Sequence, residues 1–187
     1  IDYLVADPVV APPDARSHFS EKLIQLPDSY QVNDRLRLVD PRVPSRAELG
    51  LPADAFVFCC FNNNYKIRRD VFAIWMSVLS ERPGSVLWLL ADHDETVRQL
   101  RLAASGHGID PNRLVFAGRA ALPQHLARHA QAYLFIDTWP YNAHTTASDA
   151  LWTGLPVVTC AGQTYASRVA ASLLRACGLP QLLTHEP

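Results

Sequence analysis

From Phe56 onward, short apolar runs rich in β-branched and aromatic residues alternate with helical stretches five times in succession. The pairs are Val57–Phe61 with Arg68–Glu81, Val86–Leu90 with Glu95–Gly106, Leu114–Ala117 with Gln124–Ala132, Leu134–Asp137 with Thr145–Thr153, and Val157–Cys160 with Ala166–Cys177. Strands joined through helices pair in parallel, so this order predicts an α/β lobe with a parallel sheet and helices on both faces. The strand runs are continuously apolar, as strands covered on both sides must be. Gly154-Leu155-Pro156 and Gly178-Leu179-Pro180 each close a helix, glycine taking the left-handed position and proline blocking continuation.

The first 52 residues lack this rhythm. They hold seven prolines and one glycine, Gly50. A strand end at Asp2 to Val5, a short amphipathic helix over Asp14 to Leu26 with Phe19, Leu23 and Leu26 on one face, and an extended linker are expected. Residues 1–44 read as the tail of a preceding lobe plus linker, and residues 45–187 as the lobe itself.

The 187 residues, 49% hydrophobic, suffice for one compact core. Seventeen basic against eighteen acidic residues leave a net charge of -1, without the basic excess of a nucleic-acid binder. No apolar run approaches the roughly 20 residues of a membrane-spanning helix. Cys59, Cys60, Cys160 and Cys177 form no C-x-x-C pair, so reduced core thiols in a cytoplasmic protein are expected, with neither structural zinc nor a disulfide framework.

In an open parallel sheet, ligands bind beyond the carboxyl ends of the strands. After the first strand stands Asn62-Asn63-Asn64-Tyr65-Lys66, a turn that is neither a Walker A loop nor G-x-G-x-x-G. Lys66 is one of only two lysines beside fifteen arginines. It reads either as a solvated lysine or as a cation for a phosphate, with the neighbouring amides as neutral donors. The fourth strand leads into His144-Thr145-Thr146-Ala147-Ser148-Asp149. Thr146 and Asp149 have capping-box spacing, yet a helix N-terminus bearing two hydroxyls and a histidine is equally a diphosphate site, with Asp149 placed to accept from a ribose. His125 and Arg128, three apart on one helix face, fit an ordinary surface pair as well as a site. His93-Asp94-Glu95 reads as a loop with no second cluster for a metal. Trp75, Trp88 and Trp152 read as core.

The segments FNNNYKI, SVLWLL, NRLVF, DTWPYNAHTTASDALWTGLPVVT and ASRVAASLL, in this order, resemble the C-terminal catalytic lobe of the O-linked N-acetylglucosamine (O-GlcNAc) transferase and SPINDLY-like family. IDYLVADPVV and HFSEKLIQLPDSY are similar to the segment leaving that family's N-terminal lobe. The resemblance implies a GT-B glycosyltransferase with a Rossmann-like C-terminal lobe that holds UDP-GlcNAc, inverts the anomeric centre and needs no metal or other cofactor. Carried onto matching positions, it implies that Lys66 stabilises the leaving diphosphate with Asn63 nearby. It further implies that His144, Thr145 and Thr146 hold phosphates, Asp149 the ribose, and Ala120, His125 and Arg128 the uracil. Leu122 stands where the family usually has lysine. The implied partners are a UDP-sugar, a protein or peptide acceptor, the N-terminal catalytic lobe and helical TPR repeats. Related O-fucosyl and N-glucosyl transferases, and a non-catalytic nucleotide-binding module, are the alternatives; threonine and glutamate, found in fucosyl relatives in place of His144 and Asp149, are absent here.

Overall fold

A computed structural model describes residues 1–91 and 93–186 of the chain. Near the N-terminus, β1 (Tyr3–Ala6) pairs in parallel with β2 (Lys22–Gln25). The main body then runs β3 (Phe56–Cys60), α1 (Arg69–Glu81), β4 (Ser85–Leu90), α2 (Asp94–Gly106), β5 (Leu114–Ala117) and α3 (Leu122–Arg128). It continues through β6 (Leu134–Ile136), α4 (Thr145–Trp152), β7 (Val157–Cys160), α5 (Val169–Ala176) and β8 (Leu183–Thr184). Six strands form one sheet in the order β5-β4-β3-β6-β7-β8, and every pair is parallel. Right-handed crossovers running in opposite directions from the sheet's centre put α1 and α2 on one face and α4 and α5 on the other.

All five expected strand-helix pairs are present, and burial explains why they were readable. All six residues of β4 are buried, with Trp88, Leu87 and Leu89 fully enclosed, and Phe135 of β6 and Leu114 of β5 are equally inaccessible. Gly154 and Gly178 follow α4 and α5 with φ of 79° and 71°, a conformation that side-chain-bearing residues rarely adopt.

The helix expected over Asp14 to Leu26 does not form. Pro12 and Pro13 open a 3-10 turn at Pro13–His18, and Lys22–Gln25 instead extends as β2, anchored by the Lys22 N–H to the Asp2 carbonyl at 3.0 Å. The spacing of Phe19, Leu23 and Leu26 is helical and does not fit a strand's period of two, yet Phe19 and Leu23 still pack onto a small second core of Ala6, Val10, Ala11 and Val169. His93, Asp94 and Glu95 are not a loop: His93 caps α2 and the two acids form its first turn, where the helix dipole favours them. Trp75 and Trp88 are core, whereas Trp152 is 40% exposed. The four cysteines are free; Cys59 and Cys60 are buried, but Cys177 is exposed on the surface.

The N-terminal segment is tied to the main body by Asp7, which is fully buried. Its Oδ1 accepts from the Val9 and Val10 N–H groups at 2.8 and 3.0 Å. Oδ2 accepts from the Tyr30 N–H at 2.8 Å and from the Ser172 hydroxyl of α5 at 2.7 Å. The stretch that follows, expected to be a linker, is strapped along the helices. Asp40 N–H donates to the Pro123 carbonyl (3.2 Å), Gln124 to Asp40 (3.1 Å), and Gln131 to the Pro44 carbonyl (2.9 Å).

Asp7→Ala leaves several buried donors unpaired, at about 1–3 kcal/mol each before relaxation. Urea denaturation of this variant should show a loss of about 2–4 kcal/mol. An unchanged unfolding midpoint would mean that the N-terminal segment is not held by this carboxylate.

Candidate functional site

β3 and β6 lie side by side at the point where the strand order reverses. Loops diverge there and open a crevice at the carboxyl edge of the sheet. The loops after β3, β5 and β6, with the first residues of α3 and α4, line a cleft of about 510 Å³.

Its floor is a network of short polar side chains. The Asp137 carboxylate, at the end of β6, accepts from Asn62 Nδ2 (3.0 Å), from the Thr138 and Ala143 N–H groups (both 2.7 Å) and from the Thr159 hydroxyl (2.7 Å). Burial pushes this carboxyl up to about 6, against the pull of those donors. Asn62 also donates to Thr138 Oγ1 at 2.7 Å and accepts from the Thr146 hydroxyl. The amides expected to serve a ligand are thus partly spent on the fold. Asn62 is in this network and Asn64 Nδ2 donates to the Leu90 carbonyl at 3.0 Å, while Asn63 stays exposed at the cleft wall.

Lys66 ends a 3-10 turn at Asn64–Lys66. Its Nζ donates to the Asn142 carbonyl at 2.9 Å and lies 3.9 Å from the centre of the Tyr141 ring. Burial pulls the ammonium below its ordinary value, and the Asp137 charge opposes that. Two residues beyond Asn142, His144 caps α4 without a side-chain cap bond. The capping-box reading fails because Thr146 lies inside the first turn and its hydroxyl donates to Asn62. The first amides of α4 have no intrahelical acceptors, and the residues that open the helix, Thr145 and Thr146, line the cleft with His144. Burial and then the Lys66 charge hold His144 below the ordinary histidine value.

At the other end, α3 brings His125 and Arg128 to the cleft, and Ala120 lies in the exposed loop before it. Arg128 is 4% exposed, which excludes the ordinary surface pair. Its Nη1 donates to the Gly118 carbonyl at 2.8 Å and its guanidinium stacks 4.4 Å from the Phe61 ring centre. Arg128 Nη2 donates to His125 Nδ1 at 2.5 Å, so the His125 proton sits on Nε2, which faces Asp149 Oδ2 at 3.8 Å.

Eight of the nine expected site residues line this one cleft. Asp149 lines an adjoining cavity of about 430 Å³ that shares Leu122, His144 and Thr145 with it. The sequence reading missed Tyr65, Arg119 and Tyr141, which also line the cleft, and Arg37, which binds Asp149. Tyr65 and Tyr141 flank motifs already singled out, whereas no local pattern marks Arg37, 112 residues from its partner.

A parallel lobe with its polar cleft at the sheet's switch point, where helix N-termini converge, defines a Rossmann-like ligand-binding lobe, and the likeness to a solved O-GlcNAc transferase given below makes it a GT-B glycosyltransferase lobe. The chain belongs to glycosyl transferase family 41, whose model matches residues 38–187. It is 39% identical over 184 residues to a probable UDP-N-acetylglucosamine--peptide N-acetylglucosaminyltransferase, SEC, of Arabidopsis thaliana, covering 96% of this chain and 19% of that protein. It is 43% identical over 139 residues to the UDP-N-acetylglucosamine--peptide N-acetylglucosaminyltransferase of Caenorhabditis elegans, covering 74% of this chain and 12% of the relative. An O-GlcNAc transferase of Thermobaculum terrenum, solved as a point mutant, superposes with a TM-score of 0.84 at 31% identity, over 99% of this chain and 35% of that one. The chain therefore spans about a fifth or less of these curated relatives. Among the described residues, no helix is long and apolar enough to cross a membrane.

Burial holds His125 down to about 3 and His129 down to about 4. The unfolded chain binds protons near pH 6.5 that the fold refuses, so these groups stabilise the fold above pH 6.5 and that stability is lost as pH falls. Asp137, raised to about 6, acts with the opposite sign at lower pH. His129→Gln removes one proton from the difference and leaves Asp137 untouched. The slope of unfolding free energy against pH, averaged between 6.5 and 4.5, should flatten by about 1 kcal/mol per pH unit. Identical slopes for variant and parent would mean that His129 titrates normally in the fold.

Proposed function

We propose that this chain is the donor-binding half of an inverting, metal-independent transferase that moves N-acetylglucosamine from UDP-GlcNAc to Ser or Thr hydroxyls of proteins. The carrying observation is that Lys66 and the N-terminus of α4, on loops from adjacent strands, converge on one cleft, with Asn142 joining them. A cation and a helix N-terminus facing one volume favour a diphosphate there, and both interactions strengthen as charge grows on departing UDP. In this reading His144, Thr145 and Thr146 contact phosphates and Asn63 lies beside them. Asp149 accepts from the ribose, and Ala120, His125 and Arg128 frame the uracil. Leu122 contributes an apolar edge in place of the family's usual lysine.

The acceptor hydroxyl attacks the anomeric carbon from the face opposite UDP, the C–O bond to the β-phosphate breaks, and Lys66 meets the charge that a divalent cation would otherwise meet. Residues 1–44 form the tail of the N-terminal catalytic lobe, residues 45–187 the donor lobe. The base that takes the hydroxyl proton, most of the acceptor groove and TPR repeats are assigned to the rest of a longer cytoplasmic protein.

Removing one donor to a developing anion typically costs about 3–4 kcal/mol of transition-state stabilisation. Lys66→Ala in the intact enzyme should therefore lower kcat roughly two to three orders of magnitude, measured as sugar transfer to a peptide. Calorimetry on this chain with chelator present should give binding of UDP but not GDP. Near-normal transfer by Lys66→Ala, or nucleotide binding that requires added divalent metal, would overturn the proposal.

A further inference from the structure

Arg37 belongs to the strap that the sequence reads as a linker. Its side chain is only 10% exposed, and its guanidinium stacks 4.9 Å from the centre of the Trp152 ring. Nη1 donates to Asp149 Oδ1 at 2.5 Å, and the Asp149 side chain is 7% exposed. Four residues earlier on the strap, Asn33 Oδ1 accepts from the hydroxyl of Ser148, the residue before Asp149. Asp40 meanwhile holds the start of α3 through Pro123 and Gln124. The strap thus clamps together the two helices that frame the nucleoside end of the cleft.

A carboxylate has two oxygens, and here they are unequally engaged. Oδ1 is taken by Arg37, whereas Oδ2 faces His125 Nε2 across 3.8 Å, longer than a hydrogen bond. We propose that Arg37 is a positioning residue, which fixes Asp149 so that Oδ2 is the oxygen presented to the ribose hydroxyls of a nucleoside diphosphate. This rests on the ribose role given to Asp149 above. Arg37 also sustains the acceptor's charge: burial raises the Asp149 carboxyl and Arg37 opposes the rise. The other titratable groups facing it are His125 from α3, which burial keeps neutral, His144 at the cap of its own helix, and, on the strap side of the same cavity, Asp34 and Tyr30, whose phenol burial raises. Loss of the Arg37 cation therefore moves the Asp149 proton uptake to higher pH.

The test is calorimetric titration of UDP and 2′-deoxy-UDP into the parent chain, Arg37→Ala and Arg37→Lys between pH 5 and 8, with thermal melts confirming folded samples. The parent should prefer UDP by roughly tenfold, the worth of about one good hydrogen bond to a charged group. Arg37→Ala should lose most of that preference, and the acid fall-off of its UDP binding should start at higher pH; Arg37→Lys should recover both. A parent that binds UDP and its deoxy analogue equally overturns the ribose role of Asp149 and the proposal with it. A parent with the preference, matched by Arg37→Ala in ratio and pH profile, overturns the role of Arg37 alone. Should Arg37→Ala fail to fold, Arg37→Met, which keeps the apolar stem against Trp152 but neither donor nor charge, carries the same comparison.

Discussion

The site depends on the buried Asp137 carboxylate. It stands at the end of a central strand and gathers donors from β7, from the loop after β3 and from both ends of its own loop. Those contacts fix where Ala143 lies, and Ala143 precedes His144, so the start of α4 is set by this one side chain. Through Asn62 the same carboxylate reaches the Thr146 hydroxyl, and its charge offsets part of the burial cost at Lys66. A buried carboxylate is tolerable only because all its strong acceptor positions are used. The cost of burying it is repaid by a cleft whose cation and helix end are already in place before any ligand arrives, so little ordering is needed on binding.

The end of the cleft at α3 is organised differently, by burial that keeps an imidazole neutral beside an enclosed guanidinium. Arg128 is enclosed, stacked on Phe61 and bound to the Gly118 carbonyl, and burial together with this guanidinium keeps His125 neutral. A neutral imidazole with a defined tautomer both donates and accepts in fixed directions, which a protonated ring cannot do. The Lys66 ammonium beside the start of α4 and the neutral His125 imidazole held by the enclosed Arg128 guanidinium are thereby set apart along one cleft.

Most of this was legible where the chain's local pattern and its tertiary role coincide. The central strands β3 and β4 are buried on both faces, which is what their continuous apolar runs recorded, and Gly154 and Gly178 ended their helices as the triplets required. The loops at the carboxyl edge were found because sheet topology puts sites there, and the family resemblance then assigned roles that spacing alone left open at Lys66, Thr146 and Arg128. Failures fall where a long-range partner decides the outcome. Lys22–Gln25 becomes a strand because β1 lies beside it, and β8 is too short to register at all. Trp152 stays near the surface under Arg37, and nothing near Arg37 announces a partner 112 residues away. Asn62 and Asn64 looked like ligand donors because amides in a polar turn carry no mark of which way they point.

Lys66 illustrates how burial and reactivity are balanced. A half-buried ammonium needs compensation, and the cheapest kind is a salt bridge, yet a carboxylate in contact would cancel the charge on which the proposed role toward a diphosphate rests. The chain instead gives Nζ a carbonyl oxygen and the π face of Tyr141, neither of which carries a formal charge. Both stabilise a cation while leaving its net charge unopposed at close range. Asp137 contributes from farther away, its lone pairs already committed to other donors. Tyr141 is therefore more than a wall of the cleft: it keeps the lysine charged without neutralising it, which an acidic residue at that position could not do.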